Sequence, residues 1–248
     1  MLNGLTALIA VAALTAAPGS VDLAEILAPP PAADYTGLAS SASALNGPFN
    51  AHQYALWLSA TLSDAGRTEG FFNREGFTRG YARSWAALST KYSPGANRHN
   101  QLVETVEEYR SANGAQARYA GVVSYTRGGA DGFVQEIETS IPHAFGALIF
   151  GGLDYFVMFV KGNDVYIVRM FSDLDDMTAA TVHQAQVQFD IAPAYTIPPG
   201  QWQDPQPQQP QDEFAAAKAA VIVKGSLFGV LLIARLLLFI NHVRRRLT

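Results

Sequence analysis

Between Gly76 and Ala86, Arg79 and Arg83 alternate with Phe77, Tyr81 and Trp85 at every second position, and this row could do chemistry together. Guanidinium groups stack on aromatic rings and grip anions through two parallel hydrogen bonds. Such a row suits an acidic protein partner, an anionic lipid headgroup or a glycan. The structural alternative is a ladder in which the rings pack under a helix. The arginines then pair with carboxylates of a neighbouring strand, such as Glu104, Glu136 or Glu138. Cross-strand pairs of this kind contribute roughly 0.2–1 kcal/mol each.

Catalytic devices with a readable spacing are missing from the sequence. It has no Gly-x-Ser-x-Gly, no glycine-rich phosphate loop, no His-Glu-x-x-His and no metal-type spacing among His52, His99, His143, His183 and His242. His143 follows Pro142 in an apolar loop bounded by Phe145 and Gly146, where a fixed turn could present the ring. A semi-buried structural histidine is the competing reading. Asp173, Asp175 and Asp176 lack the glycine and distal glutamate of a calcium loop, and instead suit the first turn of a helix. No catalytic, cofactor-binding or metal-ligating residue is assigned.

The elements that would position these residues occupy the middle of a chain with unusual ends. Its 248 residues, 49% of them hydrophobic, suffice for one domain plus targeting and anchoring segments. All 21 acidic residues precede Lys218, together with 11 lysines and arginines, a balance of −10, and the remaining 6 basic residues lie from Lys218 onward. An acidic body repels phosphate backbones, so nucleic acid is excluded as an expected partner. The absence of cysteine excludes disulfides, thiolate metal sites, a cysteine nucleophile and lipid attachment through an N-terminal cysteine.

From Leu5 to Ala17 the sequence is apolar and small, the length of a signal-peptide core and too short to span a bilayer, with Thr15, Ala16 and Ala17 offering a cleavage site. No lysine or arginine precedes it, so a mis-assigned start and an N-terminal helix of the fold stay open. Residues 18–34 form a proline-containing segment ending near Pro29, Pro30 and Pro31. At the other end, residues 215–241 are expected to form a transmembrane helix, since about 20 apolar residues cross a bilayer. Arg244, Arg245 and Arg246 in the basic tail 242–248 place that side in the cytoplasm and the body outside. Lys224 and Arg235 share one helix face at about 100° per residue, and Gly225 and Gly229 could permit close helix approach. Both charges can snorkel to the interfaces, and a polar stripe against an acidic partner helix is the sharper alternative. A helix lying on the membrane surface is a third.

The folded domain is expected over residues 35–193, with a Pro- and Gln-rich stalk over 194–212. Tyr54, Leu58 and Leu62 predict a helix from Ala51 to a stop at Gly66. The period-two pattern from Gly76 to Ala86 predicts a strand with a small-residue face and a large cationic-aromatic face. Leu102 to Tyr109 fits either strand or helix; Asn113 and Gly114 interrupt any long helix, and Ala115 to Val123 could form a separate one. Tyr155 to Val160 and Val165 to Phe171 flank a Gly-Asn turn and predict a hairpin. Its nearly continuous apolar runs imply a sheet covered on both faces. A helix is expected from Asp173 to about Asp190, before Pro193.

Four stretches together resemble the PsbP-like α/β/α sandwich, specifically the exported or membrane-anchored domains of the actinobacterial envelope. They are Gly76 to Trp85, Leu102 to Tyr109 with Asn113 to Ala115, Ile141 to Gly146, and the hairpin with its following helix. The resemblance implies an α+β domain with an antiparallel sheet between helices, a strand at Leu102 to Tyr109, and a binding or assembly role without catalysis. The reading that follows is an accessory protein of the cell envelope, held by a single-pass anchor and bound to another envelope or membrane protein. The alternatives are a carrier of lipid or another apolar ligand, and an enzyme whose site is assembled from distant residues.

Overall fold

The computed structural model describes residues 21–40, 44–59, 62–88, 99–128, 134–149 and 154–205. The expected signal segment 1–17, the membrane span 215–241 with Lys224, Gly225, Gly229 and Arg235, and the tail with Arg244, Arg245 and Arg246 lie outside them. Among the described residues no helix is long and apolar enough to cross a membrane.

In chain order the elements are β1 (Thr36–Gly37), β2 (Gly47–Phe49), α1 (Ala51–Leu58), α2 (Leu62–Arg74), β3 (Phe77–Leu88), β4 (His99–Tyr109), α3 (Ala112–Gly128), β5 (Val134–Ile137), β6 (Phe145–Ile149), β7 (Asp154–Lys161), β8 (Asp164–Phe171) and α4 (Thr178–Ile191). The fold is α+β. Its strands run in the order β1-β3-β4-β8-β7-β6-β5, with β2 also on β3, and every described pairing is antiparallel. The ambiguous segment Leu102 to Tyr109 is strand, paired on both sides by β3 and β8.

The predicted hairpin forms as β7 and β8, in register from Asp154 opposite Phe171 to Lys161 opposite Asp164. Alternate side chains enter two cores. Phe156, Met158, Val165 and Ile167 meet Tyr54 of α1, Phe72 of α2 and Ala115 of α3 on one face. Val157, Phe159, Tyr166 and Val168 meet Ala185 of α4 on the other. Burial on both sides explains why these strands read as continuous rather than alternating.

Gly162 turns the hairpin at φ +58, and a Cβ there would lie 2.3 Å from the Ala194 carbonyl and 2.8 Å from the Tyr195 Cβ. Strained backbone and steric overlap act together, so Gly162→Ala should cost about 2 kcal/mol or more. A denaturant titration checks this; an unchanged midpoint would show that residues 194–195 can give way.

Several expected boundaries are corrected. The helix foreseen from Ala51 to Gly66 is two helices. A capping box between Asn50 and Gln53 starts α1, and Ser59, in extended geometry at φ −101 and ψ 149, ends it. Gly66 lies inside α2, where it faces open space and only weakens the helix by about 1 kcal/mol. Asn113 and Gly114 do not interrupt α3 but form its first turn. The Ser111 hydroxyl accepts from the Gly114 amide at 3.3 Å, and a Cβ at Gly114 would meet the Glu75 carbonyl at 2.1 Å. α4 begins at Thr178, not Asp173. The preceding acids are used in a turn in which Ser172 Oγ accepts from the Asp175 amide at 2.8 Å, and Asp175 accepts from Asn100 at 2.8 Å.

The packed body also reaches beyond residues 35–193. Leu23, Leu27 and Ala28 are buried. At the other end Thr196 is buried, its hydroxyl donating to Asp164 at 2.6 Å and its amide donating to the Asn163 side chain at 3.0 Å. The Gln203 amide donates to the Arg110 carbonyl at 3.0 Å, so the first part of the proline-rich tract lies against the body.

Candidate functional site

Four of the five residues in the cationic-aromatic row share the sheet face that lies under α4. Arg79, Tyr81, Arg83 and Trp85 stand opposite Glu108, Val106, Glu104 and Leu102 of β4. Phe77 does not join them. A register shift between Phe77 and Arg79 sends Phe77 to the opposite core, against Phe49, Phe72 and Tyr109. Counting parity along the sequence assumes an unbroken pleat, and one extra residue reverses it.

The row is engaged internally. Arg79 grips Glu108 with both arms, Nε to Oε1 at 3.0 Å and Nη2 to Oε2 at 2.9 Å, which holds its guanidinium above the usual arginine range. One rung of the expected carboxylate ladder forms, between Arg79 and Glu108, which was not among the carboxylates foreseen, while Glu104 stands across from Arg83 with its Oε1 taken by Gln184. Trp85 is buried in the same apolar cluster as Leu23 and Leu27. Glu136 pairs instead with Arg127 of α3, at 2.8 Å.

What covers this face is residues 21–30, and the grip on them comes from side chains of the body. Arg79 Nη2 donates to the Val21 carbonyl at 2.9 Å. Gln188 of α4 donates to the Ile26 carbonyl and accepts from the Ala28 amide, both at 2.7 Å. Gln184, one helical turn earlier, donates to the Pro29 carbonyl at 2.7 Å and to Glu104 Oε1 at 2.6 Å. Both glutamines are 1% exposed. Spacing of four residues puts them on one face of α4, with Ala185 leaving room for the sheet.

Glu104 is a wholly buried carboxyl in the floor of this arrangement. Burial pushes its pKa up to about 8, against the lowering effects of the Gln184 hydrogen bond and the Arg83 charge. Its Oε2, like the Tyr166 hydroxyl on the same sheet face, has no hydrogen-bond partner among the described residues. Sequence reasoning named Glu104 only as a candidate ion-pair partner and missed Gln184 and Gln188. Their four-residue spacing is visible in the sequence, but glutamines on a helix ordinarily face water.

His143 sits at the third position of a turn closed by the Ala144 amide on the Ile141 carbonyl at 3.2 Å, with Pro142 second and φ +57 at His143 itself. His143 is exposed on this turn rather than semi-buried. No group of three or more potential metal ligands occurs among the described residues. An open groove of about 700 Å³ runs between the start of α4 and the chain after β5, lined by Glu138, Ser140, Asp176, Val182, His183 and Gln186 among others. Ser140 Oγ lies 3.1 Å from Gln186 Oε1.

These features define an α+β domain whose antiparallel sheet is covered on both faces and whose α4 grips an irregular N-terminal segment by its backbone. No family model, curated protein or solved structure matches the chain.

Proposed function

We propose that this chain is a non-enzymatic binding or assembly module of the cell envelope, built on a PsbP-like α/β/α sandwich and held by residues 215–241 with its C-terminus in the cytoplasm. The observation that carries the reading is the use made of Gln184 and Gln188. Two buried side-chain amides spend their hydrogen bonds on backbone atoms of a separate segment, which is how a surface built to hold polypeptide works. Three buried carboxylates, Glu107, Glu108 and Asp154, are each paired with an arginine, which gives them a structural role. Packing between α4 and the sheet is contributed by Leu102, Val106, Val168 and Met170, all 0% exposed, which favours a binding surface over an internal lipid cavity.

The test is photocrosslinking in intact membranes from the exposed positions Pro29 and His183. One membrane protein should be recovered from both, in at least about fivefold lower yield when Lys224 and Arg235 are replaced by leucine, if those charges meet an acidic partner helix. Absence of any discrete adduct from either position would overturn the reading.

A further inference from the structure

We infer that the face formed by α4 and strands β3, β4 and β8 is a peptide-binding groove, and that residues 21–30 are its built-in, exchangeable ligand. The inference deepens the binding role and rests on it, because it identifies the surface and the chemistry of what the surface takes. That chemistry is a polypeptide with two leucines four residues apart, running on to a proline.

The attachments of residues 21–30 are those of a ligand. The hydrogen bonds that join them to the body run between body side chains and segment backbone: Arg79 to Val21, Gln188 to Ile26 and Ala28, and Gln184 to Pro29. Bonds to backbone are indifferent to sequence. Selectivity falls to the pockets that bury Leu23 and Leu27, each 3% exposed, in the cluster with Trp85, Leu102 and Val106. Backbone recognition combined with alternate side-chain pockets is the usual division of labour in peptide recognition.

The segment is also structurally separate. It belongs to no strand or helix, and its internal order comes from local turns such as the Glu25 amide on the Asp22 carbonyl at 3.1 Å. Asp22, Glu25 and Pro29 face solvent, and exposed residues Pro31 to Asp34 tether it to β1. Underneath, the floor holds polar groups that the segment leaves unused, Glu104 Oε2 and the Tyr166 hydroxyl. An occupant that brought a polar group to Glu104 Oε2 would satisfy a buried atom that the built-in segment does not.

Exchange is tested on the full chain in detergent, with a specific protease site inserted between Ala32 and Ala33. After cleavage, a fluorescent synthetic peptide of residues 18–31 should enter the groove and raise its anisotropy saturably. A peptide with Leu23→Asp and Leu27→Asp should bind at least about tenfold more weakly, as expected for charges placed in two apolar pockets. Gln188→Ala in the protein should weaken the unmodified peptide. Two results overturn the inference: excess peptide fails to replace the cleaved segment while the domain stays folded, or cleavage itself unfolds the domain. Intact, uncleaved protein supplies an independent reading. The Ala28 amide should exchange hydrogen at least about tenfold faster than the amides of β4, through opening of the segment alone; equal rates would make the segment an inseparable part of the core. Failure of exchange would leave a crosslinked partner standing, and absence of a partner would leave exchange standing, so the two readings fail separately.

Discussion

Replacing Arg118 by methionine should destabilise the domain by about 3–5 kcal/mol, the cost of leaving a buried charge without its partner. Arg118 reaches from α3 to Glu107 of β4 with both arms, Nε to Oε2 at 2.9 Å and Nη2 to Oε1 at 3.1 Å. The Glu107 side chain is 0% exposed, and its Oε2 also accepts from the Tyr109 hydroxyl at 2.7 Å. The guanidinium lies over the Phe72 ring at 5.0 Å, so the same side chain ties α2 and α3 to the sheet. Methionine keeps an apolar stem and removes the guanidinium with its two hydrogen bonds to Glu107. Adding Glu107→Gln should recover part of the loss, because a neutral amide does not need the cation. Urea titrations of the two variants check both statements, and a single-variant loss below about 1 kcal/mol would show that the pair contributes no more than a surface ion pair.

Stability should also fall as pH rises from about 5 to about 9, with Glu104 contributing on the order of 4 kcal/mol of the fall, and Glu104→Gln should remove that part of the slope. In the folded chain Glu104 is raised from 4.5 to about 8 by burial. A folded-state pKa above the unfolded one means that the native protein holds the proton more tightly. The stabilisation is therefore fully present below the unfolded value and is lost as pH climbs through the folded one. Asp164 acts in the same direction, raised from 3.8 to about 7 chiefly by burial and held back by its hydrogen bonds from Thr196. The two carboxyls are separable, since Glu104→Gln preserves an acceptor for Gln184 and leaves Asp164 untouched. Equal slopes in the parent and the Glu104→Gln variant would remove Glu104 as the cause.

Much of the architecture was legible in local pattern. Two β-prone runs around Gly162 could form a hairpin without knowledge of the remaining chain, because a turn that needs φ above zero at one position is a local demand. The helix before Pro193 was legible for the same reason, although its start was misread. Asp173, Asp175 and Asp176 have the composition of a first turn, but Asn100 of a distant strand draws Asp175 into the loop ahead of α4. The division of α1 from α2 was illegible, since Ser59 stops the helix by adopting extended backbone and carries no signal as strong as glycine or proline.

The cationic-aromatic row shows where sequence stops and tertiary structure takes over. Residue types and alternation determined that Arg79 to Trp85 would be strand with a cationic-aromatic face, that the hairpin would be buried on both sides, and that the body would be acidic. Only the folded chain decided that Phe77 faces away, that Glu108 holds Arg79, and that Gln184 and Gln188 are buried against residues some 160 positions earlier. Periodicity is set by the backbone geometry of neighbouring residues and can be read along the chain. The burial of a polar group depends on a partner brought from elsewhere, and that partner exists only once the sheet, α4 and the N-terminal segment have met.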